Sequence, residues 1–173
     1  MRALVVVDYQ NDFVDGSLGS ADAVSIEGAV CSLIEGFLDS GDDVYFTMDT
    51  HGGGYLDTLE GRILPVPHCV RGTDGWRLHG RVGELARGRV VLEKSTFGCP
   101  ELLEVLRPYS EIEVCGVATN ICGMANAVMA RTANPEARVI VRRGCVASYD
   151  RDLGEKALDV MRSLQIEVLR SVG

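Results

Sequence analysis

Glu113-Val-Cys-Gly-Val-Ala-Thr-Asn-Ile-Cys-Gly-Met-Ala-Asn-Ala-Val-Met129 changes character halfway along. Ile112–Val117 is apolar and β-leaning, as a buried strand requires, whereas Gly123–Ala130 reads as a helix. Small and polar residues between them make a turn, and a thiol, Cys122, sits there near the first turn of the helix. Backbone N–H groups at such a place lack partners, and the helix dipole favours negative charge. That environment lowers the pKa of a thiol and makes it a nucleophile. The competing reading is a buried core cysteine, because free cysteine is among the most buried residue types. Position by itself leaves both open.

The same strand–helix alternation continues on either side of this stretch. Ala3–Val7, Val44–Met48, Val90–Leu92, Val139–Val141 and Ile166–Leu169 are short apolar runs of strand length. Ser25–Leu38 carries Ile26, Val30, Leu33, Ile34 and Phe37 at helical spacing, and Gly41 supplies a stop. Pro100–Leu106 reads as a helix opened by proline, and Leu153–Leu164 as another. Thr50 to Gly88 is rich in Gly, Pro and His and has weak periodicity. Continuous apolar strands alternating with helices predict an α/β fold, a Rossmann-like three-layer sandwich. Its six-stranded sheet is expected to be mostly parallel, with helices on both faces. The 173 residues are expected to form one domain over 1–173, and no internal repeat or linker interrupts them.

Composition excludes several classes of function. A net charge of -8 with no basic stretch argues against a nucleic-acid partner. No apolar run is long enough to span a bilayer. The five-residue run Ala3–Val7 ends at Asp8 and is too short for a signal peptide, so a cytoplasmic location is expected. Cys31, Cys69, Cys99, Cys115, Cys122 and Cys145 form no CxxC pair and are expected to be free thiols in a reducing compartment.

In such folds ligands bind beyond the carboxyl ends of the strands. The chemically loaded residues fall at those ends: Asp8 after the first strand, Asp49 and His51 after the second, Lys94 after the third and Cys122 after the fourth. A partly desolvated Asp8 has its pKa raised toward that of a general base, although an Asp there also serves as a turn former. Lys94 is either a solvated lysine or a cation beside Asp8 and Cys122 that stabilises both charged forms. Asp49-Thr-His51 is a D-x-H pair whose alternation puts both side chains on one side. With His68, and with Glu60 as a further oxygen donor, it makes a set suited to Zn²⁺ or Fe²⁺. His79 reads as a surface residue. Ser17, Ser20 and Ser95 have no nucleophile-elbow context.

Taken together, these residues resemble the isochorismatase-like cysteine hydrolases, and within them the nicotinamidases. The resemblance is carried by Val7-Asp-Tyr-Gln-Asn-Asp-Phe13, Asp49-Thr-His51, Leu64-Pro-Val-Pro-His68-Cys-Val-Arg-Gly-Thr73, Glu93-Lys-Ser-Thr-Phe97 and Gly116-Val-Ala-Thr-Asn-Ile-Cys122. It implies an Asp8/Lys94/Cys122 triad and a cis peptide at Val117–Ala118. The turn there aims the N–H groups of Ala118 and Cys122 at the substrate oxygen. It implies that Phe13 and Phe97 hold an aromatic ring, and that a divalent metal, Zn²⁺ or else Fe²⁺ or Mn²⁺, is bound by Asp49, His51 and His68 with Glu60. The implied reaction is conversion of nicotinamide to nicotinate and ammonia through a Cys122 thioester, by a homo-oligomer. Another amide, a carbamate or a vinyl ether is the alternative substrate, and a non-catalytic binding domain of the same fold is a further one. Asn120, where the family often has Asp, and Gly52-Gly-Gly-Tyr-Leu-Asp-Thr-Leu-Glu-Gly61 depart from the usual nicotinamidase pattern.

Overall fold

The computed structural model describes residues 1–170. Its strands are β1 (Arg2–Val7), β2 (Asp43–Asp49), β3 (Val90–Lys94), β4 (Glu111–Val117), β5 (Arg138–Ala147) and β6 (Glu167–Leu169). The helices are α1 (Asn11–Val14), α2 (Ala21–Ser25), α3 (Glu27–Asp39), α4 (Leu59–Ile63), α5 (Gly80–Leu85), α6 (Leu102–Val105), α7 (Met124–Ala133) and α8 (Arg151–Ser163). The strands form one sheet in the order β3-β2-β1-β4-β5-β6, and every pairing is parallel. No described helix is long and apolar enough to cross a membrane.

Strand β1 shows why the sheet is covered on both sides. Ala3 to Val7 are all fully buried. Leu4 and Val6 pack with Val30, Ile34 and Phe37 of α3. Ala3, Val5 and Val7 pack on the other face with Leu102, Ala127, Ala130, Leu158 and Met161 of α6, α7 and α8. Side chains that alternate between two covered faces leave no polar position, so the strand reads as a continuous apolar run.

The strand order reverses direction at β1, which lies between β2 and β4. Successive strands run outward one way through β2 and β3, and the other way through β4, β5 and β6. Crossovers therefore diverge beyond the carboxyl ends of β1 and β4 and open a crevice there. Tight backbone approach marks the same place. Gly116 pairs with Val7, has φ +108°, and a Cβ on it would lie 2.1 Å from the Val7 carbonyl oxygen. Only glycine fits at that position.

Several boundaries differ from the sequence expectation. The Ser25–Leu38 pattern is interrupted at Ile26, where α2 ends and α3 begins. Ser20 caps the first of these helices by accepting the Ala23 N–H at 3.1 Å. Strand β5 runs well past Val141, with a register irregularity opposite Val114–Gly116. The extension past the irregularity brings Ala147 and Ser148 to the crevice. The segment between β2 and β3 contains α4, α5 and a 3₁₀ turn at Tyr55–Asp57. These elements are too short for their periodicity to register in the sequence.

Candidate active site

Asp8 follows β1 with φ 47°, a left-handed conformation that aspartate tolerates better than most residues. It is fully buried, and its N–H donates to the Thr47 carbonyl at 3.1 Å. Asp8 Oδ1 accepts the Thr47 hydroxyl at 2.7 Å. Oδ2 lies 2.7 Å from Lys94 Nζ, a fully buried ion pair. Lys94 Nζ donates to the Thr96 carbonyl at 2.8 Å and to Cys122 Sγ at 3.6 Å. The three residues thus meet across the crevice although they are far apart in sequence, and the lysine ammonium reaches both the carboxylate and the thiol.

Cys122 lies in a five-residue π-type turn, Thr119–Gly123, which joins β4 to α7. Such turns are rare and recur at functional sites. The Val117–Ala118 peptide at its start is cis. The Ala118 carbonyl accepts the N–H groups of Ile121 and Gly123 and so fastens the turn. Asn120 Oδ1 accepts a short hydrogen bond from the Ser148 hydroxyl, which ties the turn to the end of β5.

The electrostatics run against the lowering expected of a thiol near a helix start: burial pushes the Cys122 thiol up, Asp8 and Asp49 push it further, and Lys94 partly opposes them. The desolvation cost of a buried thiolate outweighs the dipole of one short turn. Asp8 is also raised, first by burial, with Lys94 pulling the other way. Lys94 is raised as well: burial disfavours its charge, but Asp8 and Cys122 more than compensate. A raised Asp8 has a greater proton affinity than an ordinary carboxylate, as a general base requires.

A second cluster adjoins this one. One ligand atom from each of Asp49, His51, Glu60 and His68 lies within 4.8 Å of the others. Asp49 Oδ2 is 3.0 Å from His51 Nε2 and 3.5 Å from His68 Nε2, and Glu60 Oε1 is 3.9 and 3.7 Å from the same nitrogens. His68 Nδ1 lies 2.8 Å from the Val66 carbonyl, which orients the ring so that Nε2 faces Asp49 and Glu60. Asp49 Oδ1 is buried without a hydrogen bond, 3.5 Å from Lys94 Nζ. Burial opposes ionisation of Asp49, but hydrogen bonds from His51 and His68 hold its carboxyl well below the usual range. Two imidazoles and two carboxylates converging in this way suit a divalent transition metal.

A cavity of roughly 210 Å³ joins the clusters. Cys122, Asp49, Glu60 and His68 contribute to its wall, as do Ala118, Val117, Phe13, Phe97, Ile121 and Tyr149. Phe13 packs on His68 with ring centroids 5.4 Å apart, and Phe97 is half-exposed at the mouth. Among the described residues no Arg or Lys lines the cavity, and its charged groups are carboxylates and the imidazole.

Four residues without an assigned role in the sequence reading shape the site. Gln10, fully buried, donates to the carbonyls of Asp49 (2.9 Å) and Trp76 (2.7 Å) and accepts the Asp49 N–H (2.8 Å). Tyr55 packs against both imidazoles, with centroids 4.8 Å from His51 and 5.0 Å from His68. Thr47 holds Asp8, and Asn126 bonds the Cys122 carbonyl. Only the fully buried strand around Thr47 gave any hint. The other partners are backbone atoms or rings distant in sequence. His79 is not a free surface residue, because its Nδ1 meets Asn11 Oδ1 at 2.8 Å and its ring packs edge-on against Tyr9.

The isochorismatase domain model matches residues 2–171. The chain is 32% identical over 165 residues to the uncharacterized isochorismatase family protein PncA of Bacillus subtilis (strain 168), covering 87% of this chain and 88% of that protein. It is 31% identical over 190 residues to the nicotinamidase/pyrazinamidase of Mycobacterium tuberculosis, covering 99% and 100%. Among solved structures, nicotinamidase PncA from Bacillus subtilis superposes with a TM-score of 0.84 at 30% identity, covering 96% of this chain and 98% of that one. The pyrazinamidase of Pyrococcus horikoshii in complex with zinc superposes with a TM-score of 0.84 at 27% identity, covering 98% of each chain.

Proposed function

The chain belongs to the isochorismatase domain family, and on that premise we propose that it is a cysteine amidohydrolase whose substrate is nicotinamide or a close aryl carboxamide. The observation that carries this reading is the placement of Cys122 Sγ 3.6 Å from Lys94 Nζ, itself 2.7 Å from Asp8, at the wall of a cavity that Asp49, Glu60 and His68 also line. A nucleophile backed by a base and its counter-ion, and an anchoring site, then adjoin one small space.

In the proposed reaction Asp8 takes the Cys122 proton as sulfur attacks the amide carbon. Lys94 keeps the incipient thiolate and the ionised carboxylate within reach of one cation. The N–H groups of Ala118 and Cys122 receive the developing oxyanion, often the largest single contribution to acyl transfer. Collapse of the tetrahedral adduct breaks the C–N bond, Asp8 gives its proton to the leaving nitrogen, and ammonia departs from a thioester. Asp8 then takes a proton from water as the water attacks the thioester, and the thiol is restored as the carboxylic acid forms. Asp49, His51, His68 and Glu60 would hold a divalent metal, Zn²⁺ or else Fe²⁺ or Mn²⁺, which supplies a Lewis acid for a ring nitrogen. Phe13 and Phe97 would flank that ring, and the fixed pose shortens the path to attack.

We further read the protein as a cytoplasmic homo-oligomer; the six cysteines, free and buried, support a reducing compartment.

Ammonia release from nicotinamide by zinc-loaded protein tests the reading. Turnover by the parent chain together with its loss in Cys122→Ala is the expected result. Wild-type turnover in that variant would remove Cys122 as the nucleophile. Hydrolysis of a different amide, carbamate or vinyl ether with nicotinamide untouched would move the substrate and keep the triad.

A further inference from the structure

Asn126 lies one helical turn beyond Cys122, on α7, and is fully buried. Its Nδ2 donates to the carbonyl oxygens of Cys122 at 2.8 Å and Phe97 at 3.1 Å. Its Oδ1 accepts the Cys99 N–H at 2.8 Å. Two carbonyls on one side and an N–H on the other leave the amide a single orientation. Both of its donor hydrogens are used. An apolar side chain could fill the same space without desolvating an amide, so what Asn126 adds is the connection it makes.

That connection joins two parts of the site. One is the π-type turn that carries Cys122. The other is the segment that leaves β3 with Lys94 and continues through Thr96, the acceptor of the lysine ammonium, to Phe97 and Cys99. A π-type turn is less regular than α-helix, and its carbonyls are correspondingly less well held by the backbone. We propose that Asn126 is a positioning residue: by clamping the Cys122 carbonyl to the Phe97–Cys99 backbone, it fixes the nucleophile relative to Lys94 and to the Phe97 wall of the cavity.

The inference rests on Cys122 being the nucleophile. Lys94 Nζ and Cys122 Sγ stand 3.6 Å apart on different segments, and Asn126 spans those segments through three hydrogen bonds. A misplacement of about 1 Å in a reacting pair can cost roughly 100-fold in rate. Asn126 does not itself line the cavity and belongs to no metal-suited cluster, and it meets Cys122 and Phe97 through their backbone carbonyls, so its loss should act chiefly on turnover rather than on substrate affinity.

The test compares the parent with Asn126→Ala and Asn126→Thr. Threonine on α7 can bond back to a carbonyl four residues earlier, as Thr132 does to Val128 at 2.8 Å. It would restore the tether to Cys122 and not the bonds to Phe97 and Cys99. Three quantities are read on zinc-loaded protein: kcat and KM for nicotinamide, the melting temperature, and the rate at which iodoacetamide alkylates Cys122, followed by peptide mass mapping.

Asn126→Ala should lower kcat by at least about tenfold with KM within about threefold, and should change the Cys122 alkylation rate by at least about threefold. Asn126→Thr should fall between the parent and the alanine variant. Alanine values of kcat and alkylation within about twofold of the parent overturn the proposal, as does a loss of kcat that vanishes after correction for the folded fraction. Should Asn126→Ala fail to fold, the threonine variant decides: kcat lowered by about threefold or more supports the clamp, and kcat within about twofold overturns it. If the parent leaves nicotinamide untouched, the substrate reading has failed, and the alkylation rates judge Asn126 separately.

Discussion

The triad and the four-residue cluster adjoin one cavity but are held by different means. Asp8, Lys94 and Cys122 issue from β1, β3 and from the turn after β4, and the sheet register sets where they start. In the other cluster only Asp49 ends a strand. His51, Glu60 and His68 belong to the segment between β2 and β3, which is held by scattered bonds. His51 and Val70 form an isolated bridge, Cys69 N–H donates to Asp12 Oδ2 at 2.8 Å, and the Thr58 side chain caps α4. A site half built on a sheet resists displacement. A site half built on a loop depends on its ligand and on a few polar anchors. The first half should therefore fail by loss of chemistry, and the second by loss of binding.

Cys122→Ala is the most severe way to probe this division. It should lower kcat by at least about 10⁴-fold while leaving metal content unchanged, because removing a nucleophile abolishes its whole unit of catalysis. Metal analysis and ammonia release on one sample check it, and loss of metal together with activity would erase the distinction between the halves.

Lys94→Gln comes next, with an expected loss of about 10²–10³-fold in kcat and a lowered melting temperature, because it leaves the Asp8 carboxylate buried without its counter-ion. It also carries a signed pH effect. Asp8 must be ionised to act as base, and its pKa already lies above the ordinary 3.8. Activity therefore rises as pH rises through that raised value. Lys94 lowers the Asp8 pKa, so removing it moves the acid limb of kcat/KM to higher pH. A limb that stays in place or moves down would show that another group sets it.

Removal of metal by chelation should raise KM or lower kcat/KM by about 10–100-fold, with recovery on adding Zn²⁺. Cys122 alkylation should change little, since the triad keeps its sheet-borne framework. Parallel kinetics and alkylation on the chelated protein measure both. The smallest effect is expected from Asp12→Ala, which frees the Cys69 N–H next to His68. Metal affinity should fall by less than about tenfold at saturating-metal kcat close to parent, as read by zinc titration. A large drop in saturated kcat would mean that the loop and the triad are mechanically one unit.

How much of this was legible in the sequence depended on how local the cause was. Ala3–Val7 announces a two-sided strand through its own residues, and Asp8, Lys94 and Cys122 fall at strand ends wherever the strands pair in parallel. The break at Ile26 was hidden because the apolar spacing continues across it. Gln10 and Asn126 were silent for a different reason. Each bonds backbone atoms, and any backbone offers the same N–H and C=O groups whatever its sequence, so no partner residue type could announce them. The thiol pKa was misjudged because a turn beside a helix is a local feature, whereas the burial and nearby carboxylates that outweigh it are not.

The sequence by itself therefore determined the alternation of strands and helices and the inventory of thiol, carboxylate, ammonium and metal-suited side chains. Those follow from hydrophobic period and residue chemistry, which are properties of neighbours along the chain. Only the tertiary structure decided the all-parallel order with its reversal at β1, the distances that bring Asp8, Lys94 and Cys122 together, and the burial that pushes the thiol pKa up. The reason is physical. Strand order, ion-pair distance and desolvation all depend on segments brought together from opposite ends of the chain, and the free energy of a buried charge is set by everything packed around it.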